Sequence, residues 1–448
     1  MKLPNIVYLH VHDLGRYCEP MGYAIPAPNL QRFAEQGVLL RNCHASAPSC
    51  APSRAALVTG QYPHCCGMLG LPAPKLGYRL NDYSLHLGAW LRARGYHTAL
   101  AGVQHVAREP MVNPLEVLPY DRFLTGKDDE RDNDRVGKAI KFLSEDHERP
   151  FFLSVGLLDP HRDNQAPGRG TFIESQPHRE PFDIEDRARY CQPWPHMPDT
   201  PVARREMANF KMGVASMDAD VGRLLTVLDR PDLRDNTLVI FTTDHGPGVC
   251  GMKCTLTERG TGVTTVWRGP RDPAYGAACH FTGGRVVDAM CQHLDFYPSL
   301  CECLGEEAPA HCQGRSLLPL VRDGVDAIHD AIFSEQTYHY SDSPRPLRSV
   351  RTERYRYIRC YLPEMLVGVD CGPAENWWRA HGYGERPQEA EQLFDRYFDP
   401  HEANNLATHP EYAEVLAEMR GRMDEWQRET DDPIVHGIPV PPAQAVRS

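Results

Sequence analysis

Ile6-Val-Tyr-Leu-His-Val-His-Asp13 is a short run of β-branched, aliphatic and aromatic residues that stops on two polar, metal-competent side chains. Three more runs share its character: Thr98–Ala101, Phe151–Gly156 and Leu238–Thr242. Between them lie stretches with apolar residues at helical spacing: Leu30–Gln36 after Pro28-Asn29, Leu85–Arg94 ending at Gly95, Val136–Ser144 and Met207–Leu228. Strands alternating with helices predict βαβ units, hence an α/β fold with a large, mostly parallel sheet flanked by helices. Ligands of such a sheet bind beyond the carboxyl ends of the strands. The residues found there are His12-Asp13, Gln104-His105, Asp159-Pro-His161 and Asp244-His245. Asp and His delivered by four strand exits to one edge predict a metal-dependent hydrolase.

The chain has 448 residues, more than one typical domain, and 41% apolar with 24% charged residues is ordinary for a globular protein. After Gly324 the pattern turns antiparallel: Ala331–Ser334, Leu347–Thr352, Tyr355–Cys360 and Gln392–Asp395 read as strands, with Thr352-Glu353-Arg354 as a turn. We therefore expect a catalytic α/β domain over residues 1–325 and a smaller C-terminal α+β domain over 326–448. The latter would carry a last amphipathic helix, Pro410–Trp426, and an extended Pro-rich tail from Pro433. Residues 160–205 read as a substrate-facing insertion. A net charge of −12 argues against a nucleic-acid partner. No run is long and apolar enough for a membrane span, and Met1-Lys-Leu-Pro-Asn leads directly into the first strand, so the expected location is cytoplasmic. The 15 cysteines are dispersed and odd in number, which fits reduced thiols. Cys65-Cys66 and Cys250/Cys254 lack the second pair that a zinc site would need.

A fifth element is Cys50-Ala-Pro-Ser-Arg54, followed by Ala-Ala-Leu-Val-Thr-Gly60. Ser53–Val58 reads as the first turns of a helix, which places Cys50 at a helix N-terminus, where backbone N–H groups and the dipole favour an anion. This segment, preceded by Pro28-Asn-Leu and Phe33-Ala-Glu-Gln-Gly37, resembles the signature of the type I sulfatases. Further blocks carry the likeness: Arg149-Pro-Phe-Phe-Leu, Asp159-Pro-His-Arg162, Leu238–Gly246, Leu347–Arg351, Phe394-Asp, Asp399-Pro-His-Glu and Asn405–Thr408. Within that family the chain is most similar to the N-sulfoglucosamine sulfohydrolases, or sulfamidases. The resemblance implies an alkaline-phosphatase-like fold and a sulfohydrolase acting on a sulfate ester or sulfamate, with a small sulfated molecule such as a sugar as substrate.

It also implies that a formylglycine-generating enzyme oxidises Cys50 to formylglycine. One hydroxyl of the hydrate then attacks sulfur, and the other is deprotonated to release sulfate. Arg54 would orient the formylglycine, His105 would act as base in the release step, and His161 would contact the sulfo group or protonate the leaving atom. Lys253 would pair with sulfate. One divalent ion, Ca2+ by family likeness, would sit among His12, Asp13, Asp244, His245 and the residue at 50.

Three positions depart from the family. Asp-Asp is usual where this chain has His12-Asp13, and Asp-Asn where it has Asp244-His245; imidazole in place of oxygen donors makes Mn2+ or Zn2+ plausible. The usual Gly-Lys-x-His is Gly102-Val-Gln-His105, so the lysine is Val103, and Arg108, Lys253 and Arg162 are candidates to supply the missing charge. Two other readings stand beside the sulfohydrolase: a phosphoester or phosphonate monoester hydrolase on the same scaffold, and a catalytically impaired binding protein. The sequence leaves a homo-oligomer open.

Overall fold

The computed structural model describes residues 2–72, 76–107, 117–125, 134–162, 187–340, 343–363, 372–383 and 389–445. Its centre is an eight-stranded sheet. In chain order the strands are β1 (Asn5–Val11), β2 (Val38–Leu40), β3 (His97–Gly102), β4 (Arg122–Phe123), β5 (Phe151–Gly156), β6 (Thr237–Thr243), β7 (Thr265–Arg268) and β8 (Arg285–Val287). Across the sheet they run β8-β2-β7-β6-β1-β5-β3-β4. The four expected strands form its middle, and all four are parallel: β1 pairs with β5 and β6, and β3 pairs with β5. Their carboxyl ends therefore share one edge. The antiparallel β7, which joins β6 to β2, had no clear sequence signal because it is only four residues long.

β1 is buried on both faces, as a central parallel strand must be. Ile6 and Tyr8 face one core; Val7, Leu9 and Val11 face the other. The second core is closed by the helices Pro28–Ala34 (α1), Arg135–Leu143 and Pro201–Leu228, which present Phe33, Phe142 and Phe210 to the sheet. The first is closed by Cys50–Thr59 (α2), Leu87–Ala93 and Phe296–Cys303. Helix α2 differs from the rest in that all ten of its residues are buried. Its small side chains allow this: Ala51 and Ala55 pack toward the sheet, while Ala56 packs with Tyr62, Leu294 and the C-terminal elements.

Those elements are a separate four-stranded antiparallel sheet of Ile332–Gln336 (β9), Leu347–Arg351 (β10), Tyr355–Cys360 (β11) and Glu391–Asp395 (β12), in chain order. A helix, Ala413–Glu429, lays Leu416, Met419, Met423 and Trp426 on Val350, Tyr357 and Leu393. The expected extended tail is a correction. Asp432 accepts the Ile434 N–H and starts a short helical turn, Pro433–His436. The chain then stays on the body, with the Pro439 carbonyl accepting from the Tyr338 hydroxyl and Ala443 N–H donating to the Leu76 carbonyl. Of the segment expected as a substrate-facing insertion, residues 163–186 lie outside the described residues; from Arg187 onward it packs inward through Cys191, Trp194 and Met197. No helix among the described residues is long and apolar enough to cross a membrane. The fourteen described cysteines are free.

One buried ion pair ties the tail to the sheet. Arg348 on β10 donates to both oxygens of Asp432 at 2.6 and 2.8 Å and lies 3.3 Å from Glu335, all three being essentially inaccessible. Burial pushes the Asp432 carboxyl up, but the Arg348 bonds and charge outweigh it and bring the pKa to about 2. A carboxyl depressed in the folded state stabilises above its unfolded pKa, and that contribution is lost as pH falls. We expect this contribution to be complete above about pH 4 and to fade as pH falls through about 2. Replacing Arg348 by Met leaves the buried Asp432 carboxylate without its counter-ion and should lower unfolding free energy by about 3–5 kcal/mol, read by urea titration at neutral pH. A loss below about 1 kcal/mol would show the pair to be dispensable.

Candidate active site

The parallel strand ends converge as the sheet topology requires. At the exit of β1, Asp13 adopts the left-handed region with φ 51°; at the exit of β3, His105 does the same with φ 59°. Such backbone is costly for residues with a Cβ and persists where the surroundings enforce it, as at functional sites. Gly102 is needed at the turn after β3, because φ is 83° and a Cβ would lie 2.2 Å from the Gly156 carbonyl. Gln104 then stiffens the turn by accepting the Val106 and Ala107 N–H groups at 2.6 and 2.8 Å, and His105 is presented to the edge.

Two carboxylates form the centre. Asp244 accepts the backbone N–H groups of Asp13 and His245, each at 3.0 Å, and takes Arg54 Nε and Nη2 at 3.2 and 3.0 Å. Burial pushes its carboxyl up, but His245, Arg54 and His12 hold it well below the usual carboxylate range. Asp13 receives Lys253 Nζ at 3.3 and 3.2 Å. Each imidazole faces the carboxylate of the opposite strand: His12 Nδ1 lies 3.1 Å from Asp244 Oδ2, and His245 Nε2 lies 3.5 Å from Asp13 Oδ1. His245 donates its Nδ1–H to the Gly246 carbonyl at 2.8 Å, which leaves the Nε2 lone pair directed at Asp13 and at Cys50 Sγ, 3.3 Å away. Burial lowers the pKa of both imidazoles, so each is neutral at pH 7.

These residues fit a cation. Neither ring nitrogen of buried His12 has a hydrogen-bond partner, although one faces a carboxylate oxygen at 3.1 Å. Two overlapping sets, His12/Asp13/Cys50/His161 and Asp13/Cys50/Asp244/His245, each keep their ligand atoms within 4.8 Å of one another. Neutral imidazoles and ionised carboxylates aimed at one point are a donor set for a divalent metal.

Around that point the other expected residues take their places. Cys50 is the first residue of α2. The Ser53 hydroxyl, one turn further on, donates to the Asp244 carbonyl at 2.6 Å and so fixes the helix N-terminus over the strand end. His161 donates Nδ1–H to the Arg162 carbonyl, leaving Nε2 3.5 Å from Lys253 Nζ. The His105 and His161 rings stand 4.8 and 5.2 Å from that of His12. Burial and the Arg54 charge lower the His105 pKa to about 3. Cys50, Arg54, His105, His161, Lys253, His12, Asp13, Asp244 and His245 are therefore brought together.

Of the residues considered for the charge missing at Val103, Arg162 is committed elsewhere: it is buried, ion-paired with Glu206 and bonded to the Gly248 carbonyl. Arg108 lies outside the described residues. Lys253 is in the site. Three contributors went unforeseen. His10 accepts a bond from Arg54; the period of two along β1 places it on the face of His12, so its signal was available. His293 bonds Ser53 and Thr242, each at 3.2 Å, and joins the site from far along the chain with no local signal. His339 bonds Ser49, beside Cys50, at 2.8 Å.

Lys253 is inaccessible to solvent and ion-paired with Asp13 beside the point where the donors converge. Replacing Lys253 by Met should reduce kcat by about 100- to 1,000-fold while changing KM much less, as expected for a charge that acts on the transition state. An unchanged kcat with a raised KM would make it a ground-state binding residue instead.

The comparisons with known proteins show the family. The sulfatase family model matches residues 4–306, and that of the N-sulphoglucosamine sulphohydrolase C-terminal region matches residues 277–367. Human N-sulphoglucosamine sulphohydrolase is 30% identical, covering 92% of this chain and 87% of its own. An ulvan-active sulfatase from Formosa agariphila is 26% identical, covering 94% and 74%. Among solved structures, a protein bound to its substrate D-glucosamine-2-N,6-O-disulfate superposes with a TM-score of 0.71 at 19% identity, covering 96% of this chain and 99% of its own, which supports the alkaline-phosphatase-like fold. This chain belongs to the sulfatase family and is a sulfamidase-like hydrolase of sulfuric esters.

Proposed function

We propose that the protein releases sulfate from a sulfated sugar, as an ester or a sulfamate, using formylglycine formed at Cys50 and one divalent metal ion held by His12, Asp13, Asp244 and His245. The observation that carries this reading is the convergence of those four side chains on Cys50 at the N-terminus of a wholly buried helix. The relatives support the substrate class, being named for the hydrolysis of N-sulfoglucosamine and of ulvan sulfates.

The ion supplies Lewis-acid charge at the reacting centre, and the hydrated aldehyde supplies an oxygen nucleophile that a thiol cannot replace. The chain's own residues do the rest. Arg54, fixed by Asp244 and by the Val11 carbonyl at 3.3 Å, keeps a positive charge behind the residue at position 50. Lys253 offsets the charge of the sulfo oxygens. His161, with Nε2 turned to the site, serves the leaving atom, and His105, neutral because it is buried, accepts the proton that must be removed for sulfate to depart.

The nucleophile is tested on protein made aerobically with a formylglycine-generating enzyme. The tryptic peptide Asn42–Arg54 should show the mass decrease of a thiol-to-aldehyde conversion, and the protein should then hydrolyse sugar sulfates or sulfamates faster than phosphate or phosphonate monoesters. An intact thiol in an active preparation, or faster turnover of the phosphorus esters, rejects this function.

The imidazoles favour a transition-series ion, Mn2+ or Zn2+, over Ca2+. Added to metal-stripped protein at equal concentration, Mn2+ or Zn2+ should raise Tm more than Ca2+ does, since preferential binding to the folded state stabilises it. The double replacement His12→Asp, His245→Asn should reverse that order. A larger shift with Ca2+ in the unchanged chain rejects the assignment.

A further inference from the structure

His339 bonds Ser49 beside Cys50, and a little further along the chain stands Arg345, whose guanidinium differs from those of the buried arginines. Arg54, Arg162, Arg348, Arg351 and Arg356 are each paired with a carboxylate. Arg345 forms no ion pair among the described residues. Its one side-chain bond runs from Nη1 to the Cys254 carbonyl at 2.5 Å, and its Nε is buried without a partner. The ionisable groups that act on it are two thiols and a phenol, those of Cys254, Cys360 and Tyr383, with no Asp or Glu. Arginine stays protonated in such surroundings, so the site holds a cation that no described carboxylate compensates. Partial burial without a counter-ion is unfavourable unless something anionic completes the set.

Its position says what that is. Cys254 follows Lys253, whose ammonium reaches Asp13. The Cys254 N–H donates to the Pro48 carbonyl at 2.8 Å, two residues before Cys50, and Cys254 itself is left-handed with φ 62°. The chain neighbour of Pro48, Ser49, is bonded to His339. Arg345 thus belongs to the frame that carries both Lys253 and Cys50, and its fork is a recognition element for a planar or tetrahedral oxyanion.

We propose that Arg345 is a specificity residue that binds a second anionic group of the substrate, a carboxylate or a further sulfate, so that the preferred substrate is a sugar bearing two negative groups. This inference rests on the sulfohydrolase reading for the reaction at Cys50 but not for the binding itself. One charge-assisted contact of this kind is worth on the order of 10- to 100-fold.

The test compares a monosulfated amino sugar with counterparts carrying a second sulfate or a carboxylate, on the formylglycine-bearing protein. The second group should raise kcat/KM by about 10- to 100-fold, mainly through KM. R345Q should bring the ratio between the sugars close to one, and R345K should keep part of it. Whether sulfate or carboxylate gives the larger ratio identifies the group. If R345Q lowers both sugars equally, Arg345 only supports the Lys253-Cys254 turn and the inference is overturned; a ratio near one in the unchanged protein overturns it too. Calorimetric binding of the same sugars to protein carrying Cys50→Ala, with and without R345Q, separates the two readings. A binding preference without turnover in the formylglycine protein rejects the sulfohydrolase and keeps the subsite, whereas turnover without a preference does the reverse.

Discussion

Everything at this site follows from burying two carboxylates, Asp13 and Asp244, side by side at the ends of adjacent parallel strands. Each is nearly inaccessible, and two ionised carboxylates in such a place repel strongly unless cations answer them. Arg54 answers Asp244 and Lys253 answers Asp13. The rest of the architecture makes those two answers possible. To bring Arg54 under the sheet edge, α2 must be buried along its whole length, so the helix is built of Ala, Ser, Cys and Pro with a few aliphatic residues. To keep a helix so placed from being exposed on its outer face, the C-terminal sheet and its helix pack behind Ala56. The antiparallel sheet thus contributes to the site although, among the described residues, none of its strands supplies a metal-competent ligand.

The parts legible in the sequence are those with a period or a punctuation mark. β1, β3, β5 and β6 were found because fully buried parallel strands are continuous apolar runs, and the polar pairs that end them are abrupt. Tyr355–Cys360 was found because a turn and a β-rich run bracket it. What escaped has a common cause. The antiparallel β7 is short, and β2 and β8 complete the sheet through pairing that only the tertiary fold reveals. The tail from Pro433 reads as extended by composition, but Asp432 both caps a turn and meets a guanidinium 84 residues upstream. His293 reaches Ser53 across 240 residues, and nothing local marks it. Long-range hydrogen bonds between single side chains leave no periodic trace.

The crossed pairing of the two unusual histidines makes their presence a single feature. His12 leaves β1 and faces Asp244 of β6; His245 leaves β6 and faces Asp13 of β1. Each imidazole faces the other strand's carboxylate, and burial keeps both rings neutral, as metal donors must be. The two substitutions therefore act on the same pair of carboxylates, and each side of the site keeps one oxygen donor and one nitrogen donor.

The same arithmetic accounts for Val103. Relative to the Asp-Asp and Gly-Lys-x-His pattern of the family, His12 removes one negative charge and Val103 removes one positive charge. The site's net charge is unchanged. Val103 shares its turn with His105, whose ring lies against that of His12 with centroids 4.8 Å apart. An ammonium beside a neutral, buried imidazole would have lost the carboxylate that offset its desolvation, and a nearly buried valine at that point leaves no charge uncompensated. Arg162 is thus free to remain in its ion pair with Glu206, and Lys253 is left as the ammonium that an incoming sulfo group meets.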